Sequence, residues 1–231
     1  QLVVYCPQEV LQDKVIKKIA FASKAIEVDF RPNRKKNNSI VISNEVKKQL
    51  LFPHFSIKLH VFVEDYVLNL GPLVGIFTAG FTPFPHRPIG ERTNFFSKLL
   101  SVKTNVGAIP FVFGEKHINW DAGTINGYFY HAHNWQSMEV PFPHVIYDRL
   151  PNRKSERNPK LAKVKEILQS DYLIPWYNPG FFSKLEIYER LHQDQSVASY
   201  LPETHPFTSF SMIEDMLSKF AHIYLKPINE S

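Results

Sequence analysis

Apolar residues recur along this chain first in short strand-like runs, then in continuous blocks, and finally at helical spacing. Runs at Leu2–Tyr5, Ala25–Phe30, Ser39–Ile42, Lys58–Val63 and Tyr66–Leu70 predict strands, the last two joined by Glu64-Asp65. Within Lys58–Val63, Leu59, Val61 and Val63 share one face and Lys58, His60 and Phe62 the other, as a half-buried antiparallel strand requires. Ser43 offers a cap for a short helix carrying Val46, Leu50 and Leu51. Residues 1–70 are expected to form a small β-barrel-like unit.

Beyond Gly71-Pro72 the pattern changes. Leu73–Thr78 is a continuous apolar run of the kind covered on both faces. A Gly/Pro-rich loop over 79–90 leads to a helix near Thr93–Val102 with Phe95, Phe96, Leu99 and Leu100 as its apolar face. Ala108–Phe113 predicts the next strand. Ile118–Trp120 and Ile125–Tyr130 flank the turn sequence Asp121–Thr124, which predicts a hairpin, and His144–Tyr147 predicts a further strand. Strands interleaved with a helix imply an α/β unit over 71–155.

Residues 156–231 read as mainly helical. Asn158 and Pro159 open a helix with Leu161, Val164, Ile167 and Leu168 on one side, ending near Ser170. Ser183 and Glu186 form a capping-box pattern for a second helix with Leu185, Tyr188 and Leu191 facing inward. The pattern recurs at Ser211 and Glu214, before Ile213, Met216, Leu217 and Phe220, and the apolar run Ala221–Lys226 predicts a strand. The fold class is therefore α+β to α/β, without internal repeats.

Composition narrows the setting. With 231 residues, 44% of them hydrophobic, the chain can build one large or two small cores without disulfides. Its one cysteine, Cys6, cannot form an internal bridge, which favours a reducing interior. The longest nearly uncharged stretch, Tyr66–Phe84, is broken by Asn69, Gly71, Pro72, Gly80 and Pro83, so no uninterrupted bilayer helix is expected. The chain opens on Gln1 without a basic region leading into an apolar core, so no signal peptide is expected and both ends read as trimmed. A net charge of +5 with pI near 9.1 attracts phosphates, nucleotides or anionic surfaces mildly. The densest basic run, Arg31 to Asn38, lacks interleaved aromatics and reads as a solvated loop rather than a nucleic-acid site.

Lys184 would occupy the first turn of its helix, where the helix dipole disfavours a cation by roughly 0.3–1 kcal/mol. It is either a solvated surface group or one of a pair of functional cations. Lys226, at a predicted strand end before Pro227, is the second, and a lysine pointing from a strand end into a cleft binds phosphate as a point charge. His131 and His133 would share a strand face near His144; stacked or solvent-facing rings compete there with a metal site, and no metal ligand is assigned. Thr78, Thr93 and Asn94 lie at a strand exit and a helix start, where anion binding and ordinary capping explain them equally.

Seven segments carry a more specific signal: Gly71–Ala79, Thr93–Leu100, Ile118–Trp120, Arg149–Arg153, Asn178–Lys184, Leu201–Thr204 and Tyr224–Pro227. In that order they resemble the YheC/YheD family, endospore coat-associated proteins with a C-terminal ATP-grasp domain, and the resemblance covers most of the chain as an N-terminal portion. It implies a pre-ATP-grasp α/β unit over 71–155 and the opening of the ATP-grasp domain over 156–231. Lys184 and Lys226 match the two lysines that contact the nucleotide, so ATP and magnesium are the implied cofactors of the complete protein. Arg149 and Arg153 are implied to bind a substrate carboxylate, with a purely structural salt-bridge role as the alternative, since Asp148 is placed to neutralise one of them. The glycine-rich phosphate loop is expected where Glu230 stands, and the adenine hinge and metal ligands lie beyond this chain, so the fragment is expected to be inactive alone. The implied activity is ATP-dependent carboxylate–amine ligation; the alternative is a non-catalytic structural or assembly protein of the spore surface. Nucleotide and spore-coat proteins are the implied partners, without membrane or nucleic acid, in the mother-cell cytoplasm or the coat.

Overall fold

A computed structural model describes residues 1–11, 15–33, 39–55, 57–102 and 106–227. The expected phosphate loop at Glu230 and most of the basic run, Arg34 to Asn38, lie outside the described residues. Contacts divide the chain into Gln1–Pro179 and Gly180–Ser231.

The first unit begins with β1 (Val3–Cys6), α1 (Gln8–Leu11), β2 (Lys18–Phe21), β3 (Lys24–Glu27), β4 (Asp29–Pro32), β5 (Val41–Ile42), α2 (Asn44–Leu50), β6 (His60–Glu64) and β7 (Val67–Gly71). These strands form two open sheets, β4-β1-β5 and β3-β2-β7-β6, and no closed barrel is seen among the described residues. The run Ala25–Phe30, expected as one strand, is divided at Val28. The Val28 N–H donates to Lys17 O at 3.3 Å and the Asp29 N–H to Leu2 O at 2.9 Å, so one peptide step passes the chain from one sheet to the other. Ser43 caps α2 as its sequence predicts, its Oγ accepting the Val46 N–H at 3.4 Å, and Leu51 ends the helix at φ 52°. β6 and β7 pair antiparallel, but β6 is an outer strand, so Val61 and Phe62 are both exposed, at 41% and 54%.

Next come β8 (Leu73–Phe77), α3 (Thr93–Ser101), β9 (Ile109–Phe113), β10 (Ile118–Asn119), β11 (Thr124–His131), β12 (Asn134–Pro141), β13 (Val145–Asp148), α4 (Arg153–Glu156), α5 (Pro159–Ser170) and β14 (Trp176–Tyr177). They build a seven-stranded sheet in the order β10-β11-β9-β8-β13-β14, with β12 paired to β11. β8 is parallel to both β9 and β13, and β13 is parallel to β14. A central strand meets side chains on both faces, which is why Leu73, Ile76 and Phe77 are all buried. On one face α3 packs Phe96 and Leu100 among Ile76, Ile89 and Val112. Phe95 does not join that face and stays 46% exposed.

The expected hairpin of β10 and β11 forms, with Ile118 opposite Ile125. The long strand β12 has no counterpart among the expected elements. Ala132 and His133, at φ 48° and 62°, make the tight turn into it, so His131 and His133 do not share a strand face. Asn158 caps α5, its Oδ1 accepting the Lys160 N–H at 3.0 Å, and Leu161, Val164 and Leu168 turn inward. One apolar cluster runs through this unit from Val4 to Trp176.

The second unit holds α6 (Lys184–His192), α7 (Gln195–Ala198) and α8 (Phe210–Lys219). Ser183 caps α6, its Oγ accepting the Glu186 N–H. Ser209 rather than Ser211 precedes α8, the helix starting two residues earlier than the capping pattern implies. Ala221–Lys226 is not a strand: a single extended run needs neighbouring strands to share its ladder, and none pairs with it among the described residues. No described residue after Gly180 is buried.

Candidate functional site

Because β9, β8, β13 and β14 run parallel, their carboxyl ends open at one edge, the edge at which open α/β sheets bind ligands. Three backbone steps fix that edge. The Thr78 N–H donates to Phe113 O at 2.9 Å, the Arg149 N–H donates to Phe77 O at 2.8 Å, and the buried Thr78 hydroxyl donates to Arg149 O at 2.7 Å. The same hydroxyl accepts from Arg92 Nη1 at 2.9 Å, while Arg92 Nη2 donates to Ala79 O. Thr78 is thus occupied by protein partners rather than left for an anion.

The guanidinium of Arg149 lies 5.0 Å from the ring centre of Phe95 and 5.7 Å from that of Tyr147. This accounts for the exposure of Phe95, whose ring serves Arg149 instead of the core. Arg92 lies 5.5 Å from the ring of Phe96. Burial, and then the charge of Arg149, depress the pKa of Arg92. Among the described residues no carboxylate accepts from either guanidinium.

Asp148 does not neutralise Arg149. Its Oδ1 accepts the Leu150 N–H at 3.0 Å and its Oδ2 accepts Trp176 Nε1–H at 3.1 Å, while its carbonyl accepts from Asn178 Nδ2 at 2.9 Å. Burial pushes the pKa of this carboxyl up, and those two hydrogen bonds to its oxygens oppose the shift. Arg153 begins α4 behind the cap Asn152, half-buried. The cation on which the charge of Arg149 bears is Arg92. The sequence did hold a signal for it: a cation directly before a helix is disfavoured by the dipole, the same anomaly that singles out Lys184.

Lys184 is the first residue of α6 and is exposed. Lys226 is also exposed, its Nζ 6.0 Å from the ring of Tyr224. The histidines are held structurally. His144 Nδ1 accepts the Leu73 N–H at 2.9 Å and His117 Nδ1 the Gly114 N–H at 2.9 Å, and burial lowers the pKa of both. His131 stacks on Phe55 at 4.8 Å. No group of three or more His, Cys, Asp or Glu among the described residues is placed to hold a metal ion. Burial pushes the Cys6 thiol up to about 11, which keeps it protonated at neutral pH. A cleft of about 400 Å³ lies beside the start of α3, lined among others by Asn94, Tyr130, His133 and Trp135. Thr93 beside it accepts the Ile89 N–H at 3.1 Å, a local bond at the helix start. No helix among the described residues is long and apolar enough to cross a membrane.

Comparison with known proteins adds two findings. A family model described as YheC/D like ATP-grasp matches residues 173–231. The endospore coat-associated protein YheD of Bacillus subtilis (strain 168) is 37% identical over 226 residues, which cover 98% of this chain and 49% of that protein. The chain therefore spans about half the length of the curated relative it matches. No solved structure gives a significant match.

Proposed function

Since this chain belongs with the YheC/YheD proteins, we propose that it forms the leading part of an ATP-binding protein of the ATP-grasp kind that works at the spore surface or in the mother cell that builds it. The observation that carries this reading is the ATP-grasp match over residues 173–231, which encloses both Lys184 and Lys226. In the proposed site these two lysines meet the nucleotide phosphates as point charges on flexible stems. Magnesium, when bound with ATP, neutralises charge on the phosphates. Its ligands are not assigned to any residue described here. Arg149 and Arg153 are proposed to face the substrate, on a carboxylate that the complete protein would join to an amine.

The second reading is a non-catalytic role in assembling the spore surface with other coat proteins, and what favours it is that the similar Bacillus subtilis protein is endospore coat-associated. Calorimetry separates the two. ATP and magnesium are titrated into the full-length protein and its Lys184→Ala and Lys226→Ala variants. Weakening of about tenfold, or about 1.4 kcal/mol, in each variant supports the nucleotide site. Absence of binding by the unaltered protein transfers the weight to the assembly reading.

A further inference from the structure

Two guanidiniums share the carboxyl edge of the parallel sheet without an acid between them. Arg92 is anchored through Thr78 and Ala79, and Arg149 is held against Phe95 and Tyr147. Arg92 is partly desolvated and the charge of Arg149 adds to its cost, so a fold that keeps both gains when an anion sits between them. The carboxylate that precedes Arg149 in the chain, Asp148, is turned to Leu150 and Trp176. Stacking leaves the rim of the Arg149 guanidinium, which carries its N–H donors, unused by protein acceptors among the described residues.

We infer that Arg149 and Arg92 together form an oxyanion-binding site at the carboxyl ends of β8 and β13, taking a carboxylate or phosphate group of a small ligand. This deepens the substrate half of the proposed function and rests on its placing of Arg149 at the substrate. It adds Arg92 as a cation beside Arg149, and it does not depend on the nucleotide site. The forked geometry of two guanidiniums suits a two-oxygen acceptor, for which a lysine is a poor substitute.

The test omits ATP. Malonate and inorganic phosphate are titrated separately into the full-length protein, with binding read by calorimetry and by the arginine Nε–H resonances. Arg149→Lys, which keeps a positive charge beside Phe95 and Tyr147, is expected to lose about tenfold in affinity for the preferred anion. Arg92→Lys is expected to lose a similar factor. Exposed Arg157→Lys is expected to change nothing. Stronger binding of malonate identifies a carboxylate, and stronger binding of phosphate identifies a phosphoryl group. The inference is overturned if neither anion binds, or if Arg157→Lys weakens binding as much as Arg149→Lys.

Discussion

The imidazole of His144 accepts the Leu73 backbone N–H through Nδ1 at 2.9 Å, while the His144 N–H donates to Leu73 O at 3.0 Å. Accepting through Nδ1 requires that nitrogen to carry no proton. Burial depresses the folded pKa of His144, as it does that of His117, below the ordinary value near about 6.5. The unfolded chain therefore takes up protons first as pH falls. The stability these two rings contribute is complete above about pH 6.5 and is lost progressively below it, down through their folded values. Urea unfolding should show a lower midpoint at mildly acidic pH than at neutral pH, and His144→Gln should flatten part of that slope.

Gly127 in β11 faces the ring of Phe111 so closely that a Cβ built there would stand 2.2 Å from Phe111 Cδ2. Gly127→Ala should destabilise the protein by about 1–3 kcal/mol through overpacking. Thermal unfolding measures it, and pairing the change with Phe111→Leu should recover part of the loss.

Asp148 supplies the acceptor for Trp176 Nε1–H inside the unit. Replacing it with alanine leaves that donor and the Leu150 N–H without their partner, at a cost of about 1–3 kcal/mol, partly offset because a buried carboxylate is removed. Denaturant unfolding gives the net, which should be a loss. The indole N–H resonance of Trp176 should move in the same variant.

Neighbours in α3 should respond differently to truncation. Phe96 and Leu100 are enclosed by Ile76, Ile89 and Val112, so Phe96→Ala should cost about 3–5 kcal/mol. Phe95→Ala removes a half-exposed ring whose partner is Arg149, and should cost about 0.5–1 kcal/mol. Equal losses at both positions would refute the assignment of Phe95 to Arg149.

The features readable from sequence were those decided within a few residues. Continuous apolar runs identified β8, β9 and β13, a turn sequence identified the β10–β11 hairpin, and caps at Ser43, Asn158 and Ser183 are side-chain bonds to amides two or three residues on. What escaped depends on distant partners. β12 mixes polar and apolar residues without strict alternation, so its strand character comes from pairing with β11. The exchange of sheets at Val28 is set by Lys17 and Leu2. Ala221–Lys226 has the composition of a strand and no partner for it among the described residues. At the candidate site, Arg149 was visible as a strand-exit arginine, but Arg92 reaches it only through the packing of α3 against β8 and β9. The roles proposed for Lys184 and Lys226 come from family resemblance, since position alone leaves them ordinary surface lysines.

The apolar cluster that joins Val4 to Trp176 sets an order of events during synthesis. Phe77 emerges from the ribosome long before Trp176, whose indole packs edge-on against it at 5.3 Å. Until that late tryptophan is outside the exit tunnel, the nascent chain holds the edge of its central sheet uncovered. A stall placed just before β14 should leave a species that chaperones hold, and release past it should let the unit close in a single step.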